Sequence, residues 1–313
     1  MNREEMLDAA ESVLKVAGFK ISRQCNSRPS CFGIVARKDS DLAFIKILLD
    51  IGKISLRDAL ELQTISSRLS ATPLLVGDKS REKQLEDDTV YTRYNVYAVT
   101  LKTLEDVVSK GLSPLVEAGP GGYYVRLNGE LIRNRRMKLG FSIGKLAEDM
   151  RVSRRTLYGY EKGMAKASVS AAFNLEWVLG IPVVEPIDIF KPVPLEAGFF
   201  GKAKRLIVRN RFLQIVLRRL AHCKFRVSPT TRAPFDFIAQ SPDADVNILG
   251  GVTRHGERNV DQRVREIVSI SDIVNAQPLF ITDGKLVPFS EITTIYSQEL
   301  EKIQLAEDLI SKL

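Results

Sequence analysis

The 313-residue sequence predicts an α/β protein with an all-α insert, in which two similar α/β domains flank a small helical unit. Three observations lead to this class. Helical periodicity alternates with short apolar strands toward both ends of the chain. The two ends are alike at a shift of 203 to 205 residues. Between them lies a run of short helices, each opened by a capping residue.

The first α/β domain, 1–115, opens with a helix and continues through a strand and a hairpin of two alternating strands. A helix, the strand TPLLVG, and a last strand and helix complete it. The second, 200–313, repeats this order as a copy of the first. Phe32 and Ala36 match Phe235 and Ala239, Ile65 and Ser66 match Ile270 and Ser271, and Pro73 and Leu74 match Pro278 and Leu279. The stretch 111–124, rich in glycine and proline, reads as a linker. The proline-rich stretch 180–198 reads as an extended connector, because proline blocks regular helix. The basic residues that follow, Lys202, Lys204, Arg205, Arg209 and Arg211, are expected to extend a phosphate-binding surface or to form a solvated helix face.

The helical unit, 125–182, is read from its punctuation. Residues 133–139 form a basic helix closed by Gly140, and Ser142 caps a second helix that runs through Met150. Ser153 caps a third helix over 154–162 that ends at Gly163, where a left-handed residue costs glycine little. A fourth follows over about 168–179. Leu139, Ile143, Leu146, Ala147, Val152, Leu157 and Tyr160 fall where a compact core needs them. From Glu130 to Lys166 ten Lys or Arg stand against four acids, an excess of six in a chain whose formal net charge is +8. Basic charge concentrated on one small helical unit is the footprint of a phosphate-binding surface.

Composition removes several classes. At 44% hydrophobic residues with both charge signs, the chain is globular, and no run of 18 apolar residues suggests a membrane span. The first residues read as a helix start and not as a signal peptide, so a cytoplasmic, nucleoid-associated protein is expected. Cys25, Cys31 and Cys223 form no CxxC pair and are expected as free buried thiols. Two histidines are too few for a recognisable metal or triad site, so no cofactor and no metal are expected.

The central spacing resembles the Cro/C1-type helix-turn-helix family, through Ile143, Leu146, Ala147, Val152, Ser153, Thr156, Leu157, Tyr160, Glu161 and Gly163. The resemblance implies that the third helix enters the major groove of double-stranded DNA, with Arg154 and Arg155 reading base edges and Thr156 and Tyr158 beside them. Arginine suits the task because its fork pairs with the O6 and N7 edge of guanine. Arg136 matches the family's phosphate-contacting position, with Arg133 and Arg135 nearby, and Ser142, Lys145 and Lys162 complete the expected surface. Two positions depart from the pattern: Ile143 replaces a glutamine, and Gly159 leaves a groove-facing position without a side chain.

The whole arrangement looks like an archaeal family of helix-turn-helix transcriptional regulators, which implies transcriptional regulation and no enzyme activity. A homodimer on a pseudo-palindrome is expected from the way Cro/C1-type units read two half-sites. No small-molecule effector can be assigned.

The α/β domains resemble, in topology, the restriction-endonuclease-like fold. Such nucleases need an aspartate on one strand and an acid-x-lysine on the next to hold Mg²⁺ and activate water. The first copy has Lys46 but Phe44 and Gly33 at the acid positions; the second has Asp236, with Asn247 and Leu249 read as replacing the acid and lysine. The site is degenerate in both copies. A metal-dependent DNA-processing nuclease is therefore the alternative reading, and a low-specificity chromatin or scaffold protein is a third.

Overall fold

Asn2 opens the first helix, α1 (Arg3–Val16), through a capping box with Glu5. The computed structural model describes residues 2–193, 210–243, 246–253, 259–284 and 290–313. Met6, Leu7, Ala10 and Leu14 recur on one face of α1, and burying them sets the helix on the sheet beneath. That sheet starts with β1 (Lys20–Ile21), β2 (Ile34–Lys38) and β3 (Asp41–Ile47), joined antiparallel. Helix α2 (Leu56–Arg68), capped by Ser55, crosses to β4 (Thr72–Val76), which pairs parallel with β3. A small hairpin, β5 (Lys79–Ser80) and β6 (Lys83–Gln84), precedes β7 (Thr89–Arg93) and β8 (Val96–Val99). Strand β8 pairs parallel with β4, and α3 (Leu101–Lys110) follows.

The glycine- and proline-rich stretch expected to be a linker folds instead as a hairpin, β9 (Val116–Gly119) and β10 (Gly122–Leu127). Its Gly121 and Gly122 form the turn at positive φ, and β9 pairs with β7. The sheet thus runs without interruption from the first α/β domain into the base of the helical unit. That unit holds α4 (Gly129–Lys138), α5 (Ile143–Asp149), α6 (Arg154–Glu161), the short strand β11 (Ala167–Ser168) and α7 (Val169–Leu179). Strand β11 and the following β12 (Val184–Glu185) both pair with β10.

The described part of the connector is anchored too. Ile187 and Ile189 are buried in the core under α1, Phe190 stacks on Phe19, and the Thr72 hydroxyl donates to the Phe190 carbonyl. Residues 194–209, which include Lys202, Lys204, Arg205 and Arg209, lie outside the described residues, and Arg211 opens the next helix.

The C-terminal region builds a second sheet. Helix α8 (Arg211–His222) leads to β13 (Arg226–Pro229), β14 (Phe237–Gln240) and β15 (Asn247–Thr253), then α9 (Val260–Val274), β16 (Gln277–Thr282) and β17 (Thr293–Tyr296), with α10 (Ser297–Leu300) and α11 (Ala306–Ile310) at the end. The order β13-β14-β15-β16-β17, two antiparallel joints and then two parallel ones, is that of β1-β2-β3-β4-β8. Ile34 faces Ile45 as Phe237 faces Gly250, so the register shift is 203 on one strand and 205 on the next. The hairpin loop of the second copy is two residues longer.

The two sheets share one core. Phe32, Phe44, Leu62 and Ile65 pack in a single cluster with Phe235, Leu249, Ile270 and Phe280. Phe32 and Phe235, equivalent by the repeat, touch each other with ring centroids 6.3 Å apart, so a pseudo-two-fold axis passes between them. Each buried phenylalanine contributes about 1.5–3 kcal/mol. Separation of the copies would expose four such rings at once.

Candidate nucleic-acid interface

The DNA-facing candidate is built on α5 and α6. Ser142 accepts the Lys145 amide at 3.0 Å and Ser153 the Thr156 amide at 3.0 Å, so each helix start is held by its own hydroxyl. Leu146, Ala147, Met150, Leu157 and Tyr160 are buried against Ile132, Leu175 and Leu179. Leu139, expected in this core, lies largely in solvent.

Arg154, Arg155 and Tyr158 are exposed, and Thr156 is half-buried with its hydroxyl on Ser153 at 2.8 Å. Lys162 stands over the Tyr158 ring, 5.8 Å from its centroid. Arg133 is exposed, and Lys145 is exposed and pairs with Asp149 at 2.8 Å. These side chains share the surface around the start of α6.

Gly144 was not legible as part of this surface. A Cβ there would lie 3.1 Å from the Arg154 guanidinium nitrogens, so glycine is what lets that side chain lie across the first turn of α5. Gly159 is not an open groove position, since a Cβ there would meet the Ala165 side chain at 3.4 Å.

Two of the expected phosphate contacts turn inward. Arg136 is only 8% exposed, forks onto Glu161 at 2.5 and 3.0 Å, and donates to the Phe141 carbonyl at 2.8 Å. Arg135 is half-buried and donates to the Leu179 carbonyl at 2.8 Å, satisfying the end of α7. Both arginines are struts that tie α4 to the rest of the unit. Sequence spacing cannot separate a strut from a phosphate contact, because both call for arginine.

A second chain of charges fixes the reading unit to the first sheet. Arg126 donates to the Tyr97 hydroxyl at 2.6 Å and pairs with Glu117 at 3.3 Å; Lys166, in the loop after α6, reaches the same Glu117 at 2.8 Å. The orientation of α6 is therefore linked to β8.

The positions that would carry nuclease chemistry face the junction between the two copies. Lys46 donates to the Ser30 carbonyl, and burial pushes its ammonium pKa down, with nearby Asp58 partly offsetting this. Asp58 forks onto Arg232 at 2.7 and 3.2 Å, which outweighs burial and holds its carboxyl below the usual range. On the other side Asp236 accepts Arg28 at 2.8 Å, the Val252 amide at 2.6 Å, and Arg263. Arg28 and Arg232 are equivalent by the repeat, so each copy inserts an arginine into the other. The acids match as well: Glu61 caps the amides of Thr231 and Arg232, and Glu266 caps those of Asn26 and Ser27.

The strand registers correct one alignment. Phe44 and Lys46 correspond to Leu249 and Gly251, not to Asn247 and Leu249, because of the longer second hairpin loop. A Cβ at Gly251 would lie 2.6 Å from the Phe280 ring, so the lysine position of this copy is filled by the core. Among the described residues no three His, Cys, Asp or Glu are grouped to hold a metal ion. The three cysteines are free and buried, and burial pushes their thiols up.

Comparison with known proteins agrees with both halves of this description. Residues 3–114 match the PD-(D/E)XK superfamily domain and residues 132–185 a helix-turn-helix domain. No solved structure matches the chain. Proteins of Methanosarcina acetivorans and Methanococcoides burtonii are each 33% identical over 99% of this chain and 96% of their own length. A Thermococcus kodakarensis protein is 33% identical over 99% of the chain and 95% of its own. Each of these bears the name "Putative HTH-type transcriptional regulatory protein". At that identity over nearly the full length, the chain belongs to this archaeal family of HTH-type transcriptional regulatory proteins.

Proposed function

We propose that the chain is a DNA-binding transcriptional regulator that reads duplex DNA through α6. The unit 125–182 reads, and the α/β domains 1–115 and 200–313 serve as its non-catalytic scaffold. The observation that carries this reading is the pair Arg154 and Arg155, exposed at the start of a capped helix on the most basic part of the chain. Arg133, Lys145 and Lys162 contribute phosphate affinity, and Thr156 and Tyr158 border the reading pair. The protein acts as a homodimer on a pseudo-palindromic site, in the cytoplasm and on the nucleoid. Among the described residues no helix is long and apolar enough to cross a membrane.

The nuclease reading is disfavoured by the arginines that occupy Asp58 and Asp236. Incubation of the purified protein with linear, plasmid and branched DNA in Mg²⁺ or Mn²⁺ tests this. Cleavage that disappears in Lys46→Ala or Asp236→Ala would replace the regulator by an enzyme. The reading through α6 is tested by titrating selected and random duplexes at fixed salt: preference for the selected duplex supports it, and equal affinity favours a low-specificity scaffold.

A further inference from the structure

Helix α7 has two unlike faces. Ala172, Leu175 and Leu179 are buried in the core of the reading unit. Val169, Phe173 and Trp177 recur every fourth residue on the opposite face and form one stripe along the helix. Phe173 is 65% exposed, and Trp177, the sole tryptophan of the chain, is 81% exposed. The single charged residue of the helix, Glu176, accepts the Val183 and Val184 amides at 2.7 and 3.1 Å and leaves the stripe uncharged. Tyr123, also exposed, borders it with Val169 and Phe173 in a shallow groove.

We propose that this stripe is the face through which two copies of the chain associate. The proposal deepens the homodimer reading above by naming its surface. Three properties favour a second copy as the occupant. First, the stripe is self-complementary: about a two-fold axis with the helices antiparallel, Phe173 meets Phe173 of the other copy, and the small Val169 faces the large Trp177 at both ends. Second, each copy carries a net charge of +8, and an uncharged face on this basic unit lets two of them meet without repulsion. Third, the apolar faces of α2 and α9, where paired α/β domains would otherwise join, are already buried against each other within one chain. Phe173 and Trp177 present roughly 300 Å² between them, more than a third of the ~800 Å² per partner that a stable interface buries.

The test is sedimentation velocity of the full chain, read together with the emission of Trp177, which reports on its own surroundings. The parent is expected to be dimeric at micromolar concentration, with emission that shifts to the blue as concentration rises. Trp177→Lys and Val169→Glu are each expected to weaken association by about 30-fold or more. Both positions face solvent in one chain, so circular dichroism should match the parent. The double variant Val169→Glu/Trp177→Lys places opposite charges together at both ends and is expected to regain the dimer. A monomeric parent, a Trp177→Lys protein that stays dimeric, or a double variant that stays monomeric overturns the proposal. Duplex binding is measured separately on the same proteins. A parent that dimerises but binds no duplex refutes the DNA reading alone, and one that binds duplex while Trp177→Lys stays dimeric refutes the surface alone.

Discussion

Replacing Arg136 by Met separates two roles that sequence spacing assigns to the same residue. If Arg136 contacts phosphate, its loss flattens the plot of log affinity against log salt by about 0.9 and leaves the fold intact. The structure requires the opposite. Its side chain is 10% exposed and that of its partner Glu161 is 4% exposed, and the pair bridges α4 and α6 through two hydrogen bonds. Removing the guanidinium leaves a buried carboxylate alone, which costs about 3–5 kcal/mol. For a cooperative unit of 150–250 residues, 3 kcal/mol lowers Tm by roughly 6–12 °C. The double variant Arg136→Met/Glu161→Met, with neither charge, should recover most of that loss. Thermal unfolding by circular dichroism and a salt titration of duplex binding are the assays. An Arg136→Met protein that melts with the parent while its salt slope falls by about 0.9 would refute the strut.

Arg133→Ala should weaken binding to all duplexes alike and reduce the salt slope by about 0.9, with Tm unchanged; a changed sequence preference would contradict that role. Gly144→Ala crowds the Arg154 guanidinium, so preference for the selected site should fall while Tm holds within about 1 °C, alanine being the better helix former; full retention of preference would show that Arg154 reads nothing from this position. The depressed pKa of Asp58 gives a signed pH effect. Its bond to Arg232 contributes stability that is fully present above the unfolded aspartate value near ~3.9 and is lost as pH falls through the lower folded value. Asp58→Asn should therefore lie below the parent in stability at neutral pH, with a gap that closes in strong acid; a gap that widens on acidification would contradict the pairing.

The helical unit was the most legible part of the chain. Ser142, Ser153 and Ser168 cap the helices they were read to cap or adjoin, because a cap is a local signal written in one or two residues. The likeness of the two ends was visible in Phe32, Phe235, Pro73 and Pro278, but not that the two phenylalanines touch. A contact over about 200 positions leaves no periodicity to read. The hairpin at 116–127 was misread as a linker because its turn glycines outweighed four-residue strands too short to show alternation. Arg135 and Arg136 were misassigned for a different reason: burial of a charge depends on a partner, here Glu161 or the Leu179 carbonyl, that lies some 25 to 44 residues away. Gly144 escaped notice because its function is the absence of an atom beneath Arg154.

The central claim is that α6 reads base sequence. It is tested most directly by selecting bound duplexes from a random pool with the parent, Arg154→Ala and Arg155→Ala proteins at one salt concentration. A bidentate arginine to guanine gives about 1–3 kcal/mol of discrimination. The parent should enrich a pseudo-palindrome, and each variant should lose preference at one position of each half-site while still retaining duplex. No enrichment by the parent, or one undiminished motif from all three proteins, would contradict the claim.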